Sequence, residues 1–124
     1  MAQDLWPDDL ADVNLVTPSV ILKEQAALLG EKTKQLVKGE VVTQATDKGF
    51  AHRFNIVAPT MGYTYELFQL SHGVAFYPGS LRVAGQNTFR TIESEEALKK
   101  FLKELFSSQQ TLTIVRSILA QVRS

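Results

Sequence analysis

Gly49-Phe-Ala-His-Arg-Phe-Asn-Ile-Val-Ala-Pro59, a break at Thr60-Met-Gly62, Tyr63-Thr-Tyr-Glu-Leu-Phe-Gln-Leu-Ser71, a break at His72-Gly73, then Val74-Ala-Phe-Tyr-Pro-Gly-Ser-Leu-Arg-Val83: this stretch decides the fold. The chain has seven Phe and three Tyr, and seven of these ten lie here: Phe50, Phe54, Tyr63, Tyr65, Phe68, Phe76 and Tyr77. Aromatic and β-branched residues punctuated by Gly and Pro mark short antiparallel strands. By the two-residue period of a strand, Phe50, His52, Phe54, Ile56 and Ala58 share one face, with Phe50, Phe54 and Ile56 as its core. Ala51, Arg53, Asn55 and Val57 share the other. In the next strand Tyr63, Tyr65 and Leu67 alternate with Thr64, Glu66, Phe68 and Leu70. Both faces carry apolar groups, so this strand is expected to lie centrally and to be partly covered on each side. Val74 to Tyr77 reads as a further strand, ended by a turn at Tyr77-Pro78-Gly79 and resumed over Ser80 to Ala84.

Outward from this core, Glu40 to Thr46 reads as the first strand, closed by a hairpin turn at Asp47-Lys-Gly49. Thr88 to Ile92 follows the Gly85-Gln-Asn87 turn as a short fifth. Thr17-Pro18 is a helix start, Thr as cap and Pro in the first turn. Leu22, Ala26, Leu29, Thr33 and Leu36 then fall on one helical face, which predicts a helix from Pro18 to Val37 ended by Gly39. Gly30 inside it marks a close approach or a bend, and Gln25 and Lys32 border its apolar face, where they can line a pocket or cover a sheet edge. Ser94-Glu-Glu opens another helix, with Ala97, Leu98, Phe101, Leu102, Leu105 and Phe106 as its apolar face. Ser107-Ser108 supplies a new cap, and Leu112, Val115, Ile118, Leu119 and Val122 form the stripe of a last helix. The expected class is α+β: an N-terminal helix, an antiparallel meander of four to five strands, and two C-terminal helices packed on one sheet face.

At 124 residues one domain is expected, residues 17–124, preceded by an arm over 1–16. In the arm Asp4, Asp8, Asp9 and Asp12 surround Trp6, Leu10, Val13 and Leu15. Trp6 and Leu10 are expected to tuck against the body; the sharper alternative is an acidic–aromatic peptide that docks on a partner. Thirteen bases balance 13 acids, so no long-range field gathers phosphates, which argues against nucleic acid as partner. Low net charge favours self-association. Without cysteine there is no disulfide, thiol catalysis or thiolate metal site. The acidic start is unlike a signal peptide, and no apolar run has the length of a membrane span. These features point to a cytoplasmic protein.

No stretch forms a catalytic or cofactor fingerprint, and no cofactor or metal is expected. His52 falls on the apolar strand face and His72 in a turn; a metal would need a third ligand such as Glu66 or Asp47. Ser71 and Ser80 lack a nucleophile elbow, and the glycines form no phosphate cradle. Arg53, Arg82 and Arg90 are placed on one side of the sheet, as solvated charges or as an anion site. A pocket or interface at His52, Tyr65, His72 and Tyr77 is the candidate site.

The ordered set Thr17-Pro-Ser-Val-Ile-Leu-Lys-Glu-Gln-Ala-Ala-Leu-Leu-Gly30, Tyr63-Thr-Tyr-Glu-Leu-Phe68, His72-Gly-Val-Ala-Phe-Tyr-Pro-Gly79 and Phe106-Ser-Ser-Gln-Gln-Thr111 resembles small bacterial α+β proteins of uncharacterised families. The resemblance spans most of the chain and implies no activity. The helix–meander–helix order is also similar to secretion-chaperone-like folds, which bind partner polypeptides as dimers and are typically acidic, as this chain is not. The expected function is a non-enzymatic protein-interaction module that self-associates or binds another protein. The alternatives are a small-molecule binder or simple enzyme with a pocket between sheet and helices, and an immunity-, antitoxin- or chaperone-like partner.

Overall fold

The computed structural model describes residues 2–124. Helix α1 (Pro18–Lys32) is followed by strands β1 (Lys38–Thr46), β2 (Gly49–Ala58), β3 (Tyr63–His72), β4 (Gly79–Val83) and β5 (Arg90–Ile92), then helices α2 (Glu95–Phe106) and α3 (Gln109–Val122). The strands form one antiparallel sheet in the order β1-β2-β3-β4-β5, so β3 is central. All three helices contribute to one core against one sheet face: Ile21, Leu22 and Ala26 from α1, Leu98, Leu102 and Leu105 from α2, and half-buried Ile114, Val115, Ile118 and Leu119 from α3. The expected α+β architecture is the observed one.

Each helix starts where its cap directs. Thr17 accepts from Val20 N, Ser94 from Ala97 N and Ser108 from Thr111 N, each satisfying one of the donors a first turn leaves free. The end of α1 departs from the apolar pattern, which runs on to Val37. The helix stops at Lys32 because Thr33 becomes the knot of a turn. Its Oγ1 accepts from Val37 N at 3.2 Å and donates to Val37 O at 2.6 Å, while Gln35 N reaches back to Gly30 O at 2.8 Å. Lys34 and Gln35 pass through positive φ, 54° and 67°. Gly30 serves a close approach: a Cβ there would lie 2.8 Å from Gln35 Oε1. Gly39, expected to end the helix, instead lies in β1, where its missing side chain lets the strand press on Ala26; an added Cβ would sit 2.5 Å from Ala26 Cα.

The two-sided apolar pattern of β3 has a different cause from the one expected. Phe54 pairs with Phe68 and Asn55 with Glu66, so Leu67 is an extra residue, a β-bulge. It resets the alternation, and Tyr65, Leu67, Phe68 and Leu70 all serve the helix-covered face. The opposite face is polar, with exposed Arg53 and Glu66 3.9 Å apart. Two further expectations are corrected. Val74 to Tyr77 is irregular, with a cis Tyr77–Pro78 peptide, and the fourth strand begins only at Gly79. Phe50, assigned to the core, lies at the hairpin end beyond the reach of the helices and is 40% exposed.

Candidate functional site

Of the four residues singled out in the sequence, the fold joins two. His52 on β2 and His72, the last residue of β3 rather than part of a turn, meet with their Nε2 atoms 2.7 Å apart. The remaining ring nitrogens are also engaged: His52 Nδ1 lies 2.9 Å from Thr43 Oγ1, and His72 Nδ1 lies 2.7 Å from Gly73 O. A carbonyl only accepts, so His72 Nδ1 carries the proton and its Nε2 accepts. His52 therefore donates from Nε2 and accepts from the Thr43 hydroxyl at Nδ1. The chain of donors runs one way, from Thr43 through both imidazoles to Gly73, and clamps β1, β2 and β3 together. Burial, with the repulsion that a charge on His52 would meet from a charged His72 and from Lys23, holds the His52 pKa down to about 4. Every ring nitrogen of the pair has a hydrogen-bond partner, and no group of three His, Asp or Glu able to hold a metal occurs among the described residues.

Tyr65 and Tyr77 lie elsewhere. Tyr65 pairs with Ile56, four residues along β2 from His52, roughly 13 Å at the rise of a strand. Tyr77 packs on the core with its hydroxyl buried and without a hydrogen-bond partner. Burial and nearby Glu95 raise its pKa. A cavity of about 500 Å³ touches His72 but none of the other three. The three arginines also separate: Arg53 and Arg82 both flank Gln69 across the sheet, whereas Arg90 pairs with Leu81 and stacks on Phe101 at 4.8 Å.

A larger feature lies between α1, α3 and the sheet. This groove encloses about 620 Å³, within the roughly 300–1,000 Å³ of ligand sites. Phe54, Ile56 and Leu67 form its floor, Leu28 and Leu29 one wall, and Leu112, Val115, Leu119 and Phe106 the other. The bulge at Leu67 helps to build the floor. Gln25, Lys32 and Arg116, with the hydroxyls of Thr33, Ser107 and Thr111, make the polar part of the lining, which holds no carboxylate. Among the described residues neither Lys32 nor Arg116 is in an ion pair. The groove is open because α3 is only half seated: Thr111 is its one buried residue, and the whole stripe from Leu112 to Val122 keeps partial solvent access. Gln25 and Lys32 were legible as pocket-bordering positions. The α3 wall was legible only as a stripe, and nothing in its spacing says that the neighbouring elements leave it half covered.

The arm adds a second exposed apolar surface. Trp6 and Leu10, expected against the body, are 70% and 58% exposed. No known protein family, curated protein or solved structure matches this chain, so its function is read from its own geometry.

Proposed function

We propose that this chain is a non-enzymatic protein-interaction module whose working surface is the groove between α1, α3 and the sheet. The observation that carries the reading is the composition of that groove: a continuous apolar floor and walls, open to solvent, with cations and no acid or imidazole in its lining. Its hydroxyls are committed locally, Thr33 to the Val37 backbone, Ser107 to Lys103 O and Thr111 within 3.2 Å of Ser108 Oγ. Such a surface offers burial to an apolar segment but no acid–base pair to a reaction. The half-covered stripe of α3 has the period on which helix and groove recognition rely. Self-association belongs to the same proposal, supported by the balanced charge. The cysteine-free composition and the resemblance to small bacterial proteins add a bacterial, cytoplasmic setting to it. An immunity-, antitoxin- or chaperone-like role would be this same binding directed at one partner.

Selection of a displayed random-peptide library on the 124-residue chain tests the reading, with the Leu28→Glu variant as counter-target. The expected outcome is enrichment of peptides with apolar anchors that bind the parent chain by fluorescence anisotropy and lose binding to Leu28→Glu. No enrichment, or peptides that bind both chains equally, defeats it. A small apolar molecule is the second reading, favoured by the groove's volume. It would stand instead if an anilinonaphthalene dye bound at the groove while no peptide did.

A further inference from the structure

The sequence itself carries a segment whose chemistry complements the groove. The chain's 13 bases and 13 acids are unevenly divided. Asp4, Asp8, Asp9 and Asp12 lie in the first 16 residues with no base, which leaves 13 bases against nine acids (13 minus 4) in residues 17–124. The arm also displays large apolar groups: Leu5 is 83% exposed, besides Trp6 and Leu10. These are not scattered along a featureless tail. Asp4 Oδ1 accepts from Trp6 N at 3.0 Å, and Leu10 N and Asp12 N close successive turns on Pro7 O and Asp9 O. Trp6 and Leu10, four residues apart across that turn, are apolar anchors set among carboxylates. The groove presents the inverse pattern, an apolar floor with Lys32 and Arg116 in its lining and no acid.

Resting on the reading of the groove as a peptide-binding surface, we propose that the Asp4–Asp12 segment of one copy docks in the groove of a second copy, Trp6 and Leu10 entering the apolar floor and the aspartates facing Lys32 and Arg116. The arm stands off its own body. Pro18 holds Thr17 extended, at φ −83° and ψ 156°, and every residue from 2 to 16 is exposed. The groove begins at Gln25, two turns further along α1. Beyond the turned segment, the five residues from Asp12 to Thr17 span up to roughly 17 Å when extended, a tether that can carry the segment to a neighbouring molecule. Exchange of two arms between two grooves makes a closed, two-fold assembly, each copy's arm filling the other's groove.

Sedimentation velocity over a concentration series tests this, on the 124-residue chain, the Trp6→Ala/Leu10→Ala variant, the Arg116→Glu variant and the Asp8→Arg/Asp9→Arg variant. The arm substitutions lie outside the core, so circular dichroism should be unchanged in them. A labelled peptide of residues 2–16 is titrated onto the parent in parallel. The expected result is a dimer whose dissociation constant rises about 30-fold or more when both anchors are removed. Each charge reversal should weaken it alone, and mixing the two reversed chains should restore association. The labelled peptide should compete. A dimer indifferent to the arm and to Arg116 overturns the proposal. So does a monomer at every concentration in which Trp6 cross-links within its own groove. Library peptides that bind the groove while residues 2–16 do not would overturn this occupant and leave the peptide-binding reading standing; failure of both probes removes both.

Discussion

His52 and His72 share one hydrogen bond, Nε2 to Nε2 at 2.7 Å, inside a one-way chain from Thr43 to the Gly73 carbonyl. Folding therefore favours a neutral His52. Unfolded, this imidazole takes up a proton near 6.5; folded, buried and beside His72 and Lys23, it does so only near 4. Between those values the unfolded state binds more protons. The stabilisation is thus complete above pH 6.5 and lost as pH falls toward 4. The loss should approach ~1.4 kcal/mol per pH unit and total roughly 3 kcal/mol. Urea denaturation at pH 8, 6.5, 5 and 4 measures it, and His52→Gln, which keeps a donor toward His72 and an acceptor for Thr43, should flatten that window. An unchanged slope in His52→Gln would assign the pH dependence to other groups.

How far these features could be read in the sequence depended on whether they are local. Caps are local, and Thr17, Ser94 and Ser108 start the helices where they stand. The β1–β2 hairpin is local too, its two-residue turn flanked by Thr46 and Gly49. The end of α1 is set by a side chain, Thr33 Oγ1, whose partner Val37 continues the apolar pattern, so periodicity runs past the true boundary. Alternation along β3 counts residues but not register; the bulge at Leu67 moves Phe68 and Leu70 onto the face of Tyr65. The histidine pair follows from pairing of His52 with Leu70 and of Phe50 with His72, which strand composition does not specify. The groove is the least legible of all, because it is the space left between α3 and α1 once both have packed.

Gly39→Ala should destabilise the fold strongly for so small a change. The new methyl group would meet backbone, 2.5 Å from Ala26 Cα and 3.1 Å from Ala26 O, and no side-chain rotation relieves it. The strand or the helix must move, at a cost of about 1–3 kcal/mol for overpacking. Denaturant midpoints of the two chains give the difference. Equal midpoints would mean that β1 slides from α1 without penalty.

Thr33→Val should cost about 1–3 kcal/mol although valine has nearly the same shape. It leaves the Val37 N–H and C=O without the hydroxyl that serves both, in a position only 7% exposed. Thr33→Ser should retain most of the stability. Hydrogen exchange localises the effect: the Val37 amide should lose protection in Thr33→Val and keep it in Thr33→Ser. If all three proteins melt together, the turn after α1 does not depend on the hydroxyl.

Trp6 is the sole tryptophan of the chain, and it is on the arm, so its fluorescence reports the arm rather than the core. In the single chain it is 70% exposed, so in dilute solution it should emit like solvated indole. If arms exchange between copies, its emission should shift to shorter wavelength as concentration rises, following the same midpoint as the change in mass. Leu28, 41% exposed in the groove wall, can be replaced with little effect on folding, within about 0.5 kcal/mol for a surface site. Leu28→Glu should then abolish the shift, because a carboxylate in that wall both wets the floor and repels the aspartates. High salt should weaken the shift partially, since it screens the Lys32 and Arg116 attraction but leaves the burial of Trp6 and Leu10 intact. Emission that stays red at every concentration would mean that the arm remains in water and that the groove takes another ligand.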